Sequence, residues 1–115
     1  MDAGDSLLYH NPRCSKSRQA LALLQERGVQ PRVVEYLREP PDAAALKRLL
    51  AMLGLKPRDV LRRKEAAEAG LDPEMDDAAL IAGIAANPAA LERPIFVHRG
   101  RAVVGRPPER VLELL

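Results

Sequence analysis

The sequence predicts an α/β fold with a mixed four-stranded sheet and flanking helices, in the order β-α-β, a helical insert, then β-β-α. Three observations carry that expectation. Short apolar runs at 6–10 and 32–37 enclose a stretch with helical spacing. The middle of the chain is a succession of helical patterns with no strand-like alternation. The segment 93–107 reads as two short strands around a tight turn.

Each element has a local reason. "SLLYH" at 6–10 is an apolar run stopped by Asn11-Pro12, as expected of a buried strand entering a turn. From Ser15 the apolar residues Ala20, Leu21, Leu23 and Leu24 recur on one helical side until Gly28 supplies a stop. "RVVEYL" at 32–37 is the second strand, broken by Pro40-Pro41. Asp42 is placed to cap a helix that carries Leu46, Leu49, Leu50 and Leu53 and ends at Gly54. Two further helices are expected, over 57–70 and over 76–88, the second capped by Asp76 or Asp77. Ile95–Val97 and Ala102–Val104 form the hairpin around a His-Arg-Gly turn, and Pro107 opens a last helix to Leu115.

A βαβ crossover makes the first two strands parallel, and a closing hairpin adds an antiparallel one. This element order matches a thioredoxin-like fold with helices inserted at its middle. In that arrangement the start of the first helix lies beside the loop before the third strand. Cys14 and the Arg93-Pro94 pair are therefore expected to meet in space.

Composition narrows the class of function. At 115 residues the chain fits one domain, 1–115. Hydrophobic residues at 47% and charged residues at 30% are a globular balance, not a disordered one. With no Trp, one Phe and two Tyr, there is little on which nucleic-acid bases could stack. A net charge of +2 gives no strong field for a polyanion, so no nucleic-acid partner is expected. The apolar runs are too short to span a bilayer, and "MDAGDSLLYH" lacks the basic start of a secretory signal. The single cysteine points to a reducing compartment. The expectation is a cytoplasmic protein, monomeric and without a membrane partner.

That cysteine lies in "YHNPRCSKSR", residues 9–18, among polar and basic neighbours. At a helix N-terminus, unpaired N–H groups and the macrodipole stabilise a thiolate and lower its pKa. Arg13, Lys16 and Arg18 add positive charge nearby, and Ser15 and Ser17 can donate hydrogen bonds. His10 can act as an imidazolium or as a hydrogen-bond donor. A thiolate so placed is a nucleophile, and the same N–H groups can hold an oxyanion. The alternative is a cysteine that merely fills a gap at the loop–helix junction. Ser17 stands where a C-x-x-C motif has its second thiol, so an oxidised or adducted Cys14 must be released by an outside thiol such as glutathione or a small disulfide oxidoreductase. No metal-ligand spacing or glycine-rich phosphate loop is present in the sequence.

With these residues in view, the chain resembles the glutaredoxin-coupled arsenate reductases. The likeness runs from "YHNPRCSKSR" through "YLREPPD", "VLRRKE" and "ERPIFV" to "GRPPERVLELL". It implies a thioredoxin-like fold and the reduction of arsenate to arsenite. It implies Cys14 as nucleophile, with His10 aiding its ionisation. Arg62, Arg93 and Arg106 are implied as the oxyanion-binding set, with Ser15 and Ser17 beside them. Arg63 is the alternative to Arg62. Similarity to the wider fold also implies a cis bond between Arg93 and Pro94 next to the thiol.

No tightly bound cofactor is implied; glutathione serves as co-substrate and glutaredoxin as partner. Guanidinium forks suit such an anion, because they offset its charge permanently and match its oxygens. Two other readings of the scaffold stay open. One is a different thiol-transfer reductase. The other is a redox-sensing regulator that binds RNA polymerase, although members of that group typically carry the C-x-x-C switch that this chain lacks.

Overall fold

In the computed structural model, residues 6–115 are described. The reading of the first residues as no secretory leader falls partly on 1–5, outside the described residues. The described residues form two compact units, one made of those up to Glu39 with 93–115 and the other of 40–92.

The first unit holds the sheet. β1 (Ser6–His10) buries alternate residues, the pattern of a strand covered on one face. α1 (Ser15–Glu26) follows directly, and β2 (Arg32–Glu35) returns parallel to β1, with Leu8 opposite Val33. β3 (Ile95–His98) lies antiparallel to β1 on its other side, and β4 (Arg101–Val104) antiparallel to β3. The strand order β2-β1-β3-β4 is that of the thioredoxin-like fold. β2 is shorter than "RVVEYL" suggested: the chain turns after Glu35, whose carbonyl accepts from the N–H groups of Arg38 and Glu39.

The β3–β4 hairpin closes through two residues, Arg99 at φ 52° and Gly100 at φ 81°. Two consecutive left-handed residues twist with the strands. His98 accordingly belongs to β3, paired with Arg101, and not to the turn. Leu8, Ala20, Leu24, Val29, Phe96, Val103 and Val111 form the core of this unit. The last segment, Pro108–Leu114, is a 3-10 helix, not the α-helix expected from Pro107. Two prolines in its opening turn supply no N–H groups, and Val111 is anchored in the core.

The second unit is helical. α2 (Ala43–Leu53) is capped by Asp42, whose carboxylate accepts from the Ala45 N–H at 2.8 Å, and ends on left-handed Gly54. α4 (Asp77–Ala86) is capped in the same way by Asp76 and packs on α2. The helix expected over 57–70 is two pieces, a 3-10 turn at Pro57–Val60 and α3 (Arg63–Glu68). Between them Leu61 is extended and bridges Leu91, with backbone bonds from Arg62 to Ala90 and from Glu92 to Val60. Leu61 and Leu91 are both buried, and that burial holds the break open against helix propagation. Among the described residues, no helix is long and apolar enough to cross a membrane.

Candidate active site

The site is assembled where β1 runs into α1. Asn11 organises the connection with three hydrogen bonds. Its carbonyl accepts from the Cys14 N–H at 3.0 Å. Its side-chain oxygen accepts from the Arg13 N–H at 3.0 Å, and its own N–H donates to the Ser17 hydroxyl at 3.1 Å. Sequence reading assigned Asn11 only to a turn. The signal was its pairing with Pro12, because an Asn side chain that bonds its own backbone two residues on is a turn-forming device.

Cys14 is the N-cap residue of α1, half-buried, with extended backbone at φ −92° and ψ 122°. Its side chain closes no capping bond within hydrogen-bond limits, and no acidic residue lies in the first turn of α1. The thiol pKa is lowered. Burial is the largest single influence and acts upward; it is outweighed together by the Ser17 N–H, the Arg93 side chain, the Lys16 N–H and the Arg93 charge. Cys14 and Arg93 do meet, as the element order predicted.

Ser17 plays a different part from the one implied for its hydroxyl. It is fully buried, and its Oγ lies 2.6 Å from His10 Nδ1 while accepting from Asn11 N–H. The side chain is thus turned into the protein, and what Ser17 offers Cys14 is its backbone N–H. Ser15 is exposed at the start of α1. His10 is buried, and burial lowers its pKa; Glu35 acts upward and Arg18 downward. Of the two forms expected for His10, this favours the neutral imidazole.

Two arginines of the expected set come together. Arg106 Nη1 donates to the Arg93 carbonyl at 3.2 Å, so the end of β4 holds the residue that leads into β3. The Gly105 N–H donates to the Pro94 carbonyl at 2.8 Å, fixing the same loop again. The Arg93–Pro94 bond is cis, and so is Arg106–Pro107. Arg93 Nε is buried, and no bond to it is made within the described residues.

Arg62 belongs to the helical unit. Its Nε bonds Glu65 and its Nη1 bonds Glu92, each at 3.1 Å, with the side chain 24% exposed. Its pKa is raised: burial acts downward, and the two carboxylates more than offset it. Neighbouring Arg63 is exposed. Among the described residues, no group of three or more His, Cys, Asp or Glu side chains is placed to hold a metal ion.

Comparison with known proteins agrees with this geometry. Residues 9–114 match the sequence model of the ArsC family. The chain is 50% identical over 112 residues to an arsenate reductase of Neisseria meningitidis serogroup A, covering 94% of this chain and 96% of that one. It is equally identical, over 112 residues and 94% of each chain, to the uncharacterized protein YfgD of Escherichia coli K12. Among solved structures, an arsenate reductase from Vibrio cholerae superposes with a TM-score of 0.89 at 47% identity, covering 96% of this chain and 97% of that one. A cysteine at the N-cap position of the first helix, an arginine–proline loop beside it and these likenesses lead to one assignment: the chain belongs to the ArsC family.

Proposed function

We propose that the protein is an arsenate reductase that works through a Cys14 thiolate, with glutathione as co-substrate and glutaredoxin as the partner that restores the thiol. The observation that carries the reading is the environment of Cys14. Its thiol pKa is lowered by amide N–H groups at the helix start and by the Arg93 guanidinium, although burial opposes this. The same donors that favour the thiolate can receive the oxygens of a tetrahedral anion.

The Cys14 sulfur attacks arsenic and forms an S–As bond, while one arsenate oxygen leaves as water after taking up protons. Arg93 and Arg106 offset the charge that would otherwise keep thiolate and anion apart. Arg62 enters the scheme as the third anion-binding arginine, a role in which arsenate competes with Glu65 and Glu92 for its guanidinium. The glutathione thiolate then attacks the adduct at the Cys14 sulfur. As an S–S bond forms between it and Cys14, the S–As bonding pair stays on arsenic, which becomes As(III) and leaves as arsenite. The two electrons come from two thiols, one of them external because Cys14 is the only cysteine. Glutaredoxin takes the glutathionyl group and returns Cys14 to the thiolate.

NADPH oxidation coupled through glutathione reductase tests the scheme, with arsenate, glutathione and glutaredoxin present and Cys14→Ser run beside the wild type. Turnover that needs arsenate and Cys14 together supports it. A folded protein with an ionised Cys14 and no arsenate-dependent turnover overturns it and turns attention to other thiol-transfer substrates.

A further inference from the structure

A cleft of about 380 Å³ opens in the sheet-bearing unit, next to the thiol loop but without the anion-site arginines in its wall. That volume is in the range of small-molecule sites. One side is the chain leading to the nucleophile, with His10, Asn11 and Arg13; the wall stops at Arg13, one residue short of Cys14. The other side is the turn after β2, with Glu35, Leu37 and Arg38. The cleft therefore lies along the stretch of chain that leads to Cys14.

We infer that this cleft is the seat of the reducing co-substrate, a small dipolar thiol peptide of the glutathione type. The inference rests on the thiol-dependent reading above. Two residues with guanidiniums, Arg13 and Arg38, and one with a carboxylate, Glu35, line the cleft. Glutathione carries the opposite set, two carboxylates and one ammonium, so a net positive group of three on the wall meets a net negative group of three on the ligand. Arg38 and Glu35 satisfy each other poorly: their atoms are 3.9 Å apart with side chains 81% and 43% exposed. A pair so loosely held is worth little by itself and exchanges readily for charged groups of a ligand.

Leu37 is 45% exposed at the same rim, an apolar contact for the uncharged middle of the peptide. The thiol of glutathione sits on its central residue. Anchoring the carboxylate ends in the cleft leaves that sulfur free to reach toward Cys14, one residue beyond the wall. Oxyanion and thiol donor would then approach the nucleophile from different residues, Arg93 and Arg106 for the first and Arg13, Glu35 and Arg38 for the second.

Arg38→Glu tests the assignment, since it inverts the charge of the residue farthest in sequence from Cys14. In the coupled assay, KM for glutathione should rise about tenfold, the scale of one lost charge-assisted contact. KM for arsenate and the pH profile of Cys14 alkylation should stay within about twofold of wild type. Arg38→Lys should fall between, because it keeps charge without the fork.

A second measurement does not depend on arsenate turnover. Titration with unreactive S-methylglutathione, followed by amide NMR shifts, should perturb residues 10–13 and 35–38 in the wild type and much less in Arg38→Glu. No binding to the wild type, equal binding to both proteins, or shifts centred on 93–106 would overturn the assignment. A rise in arsenate KM alone would overturn it too, and would make the cleft an oxyanion site. Failure of arsenate turnover with S-methylglutathione still bound at 10–13 and 35–38 would instead fault the arsenate reading and leave the cleft standing.

Discussion

Replacing Ser17 by alanine should cost the protein about 2–4 kcal/mol of stability, a large effect for the loss of one oxygen atom. The hydroxyl is fully buried and has two partners, the Asn11 N–H at 3.1 Å and His10 Nδ1 at 2.6 Å. Alanine fits the space without a clash, so no steric term enters. What is lost is two hydrogen bonds, each worth about 1 kcal/mol net, and what is left is two buried polar groups that water reaches poorly. An unsatisfied group of that kind costs about 1–3 kcal/mol, of which the lost bond is already a part. Taking each of the two groups at about 1–2 kcal/mol, the lower part of that span, gives the range above.

For a chain of 115 residues, about 4 °C of melting temperature corresponds to each kcal/mol, so a fall of about 8–16 °C is expected. Thermal unfolding followed by circular dichroism measures it, and urea unfolding at fixed pH checks that the transition stays two-state. The Cys14 thiol should ionise much as before, because Ser17 reaches it through the backbone N–H that alanine retains. Alkylation rates against pH read that second quantity. A melting temperature within about 2 °C of wild type would refute the claim that the hydroxyl holds this junction together.

Four other perturbations probe separate parts of the structure. Arg93→Lys should raise the arsenate KM about tenfold while moving Cys14 alkylation less, since lysine keeps the charge beside the thiol but not the planar fork; unchanged arsenate kinetics would remove Arg93 from the anion site. Acidification should lower stability through two groups. His10, with its pKa lowered by burial, binds a proton more readily unfolded than folded, so stability falls as pH drops through the ordinary histidine range near 6.5. Cys14, also lowered, contributes stability that is fully present above its unfolded pKa and is lost as pH falls through its folded value. A urea midpoint independent of pH between about 5 and 9 would contradict both.

Arg62→Ala should destabilise by about 1–2 kcal/mol, because Glu65 and Glu92 lose a shared partner at only 24% and 26% exposure; urea unfolding reads this, and no loss would mean the pairs do not hold in solution. Gly105→Ala should destabilise by about 1–3 kcal/mol, since an added Cβ would lie 2.9 Å from the Pro94 ring and 3.0 Å from Val111. Displacing Pro94 also moves Arg93, so kcat/KM for arsenate should fall with it. Full activity at wild-type stability would show that the loop can give way.

What could be read from the sequence was local. Asp42, Asp76 and Gly54 announce helix ends through side-chain or backbone chemistry contained within four residues, and the structure uses each as expected. The hairpin was legible because Arg99-Gly100 stands between apolar runs. The prediction that Cys14 meets Arg93 needed only the element order, since β1–α1 and the approach to β3 converge in that topology. The misplaced boundaries have non-local causes. The break at Leu61 depends on Leu91, thirty residues on. Arg62 is committed to Glu92 as well as to its helical neighbour Glu65, a pairing invisible in "VLRRKE". Ser17 looked like an anion ligand because spacing from Cys14 cannot tell which way a buried hydroxyl turns. That direction is set by His10, which sequence separates from it by a full loop.

The start of α1 has a consequence for oxidation chemistry. A helix is ordinarily capped by a hydroxyl or carboxylate, yet here the capping position carries sulfur and closes no side-chain cap. A neutral thiol, or a sulfur bonded to another atom, is a poor acceptor for the Ser17 and Lys16 N–H groups; a thiolate is a good one. Helix α1 is therefore best terminated only in the reduced, ionised protein. Any mixed disulfide or adduct at Cys14 gives up that termination, which shifts the balance toward releasing the adduct and makes the mixed disulfide a stronger oxidant.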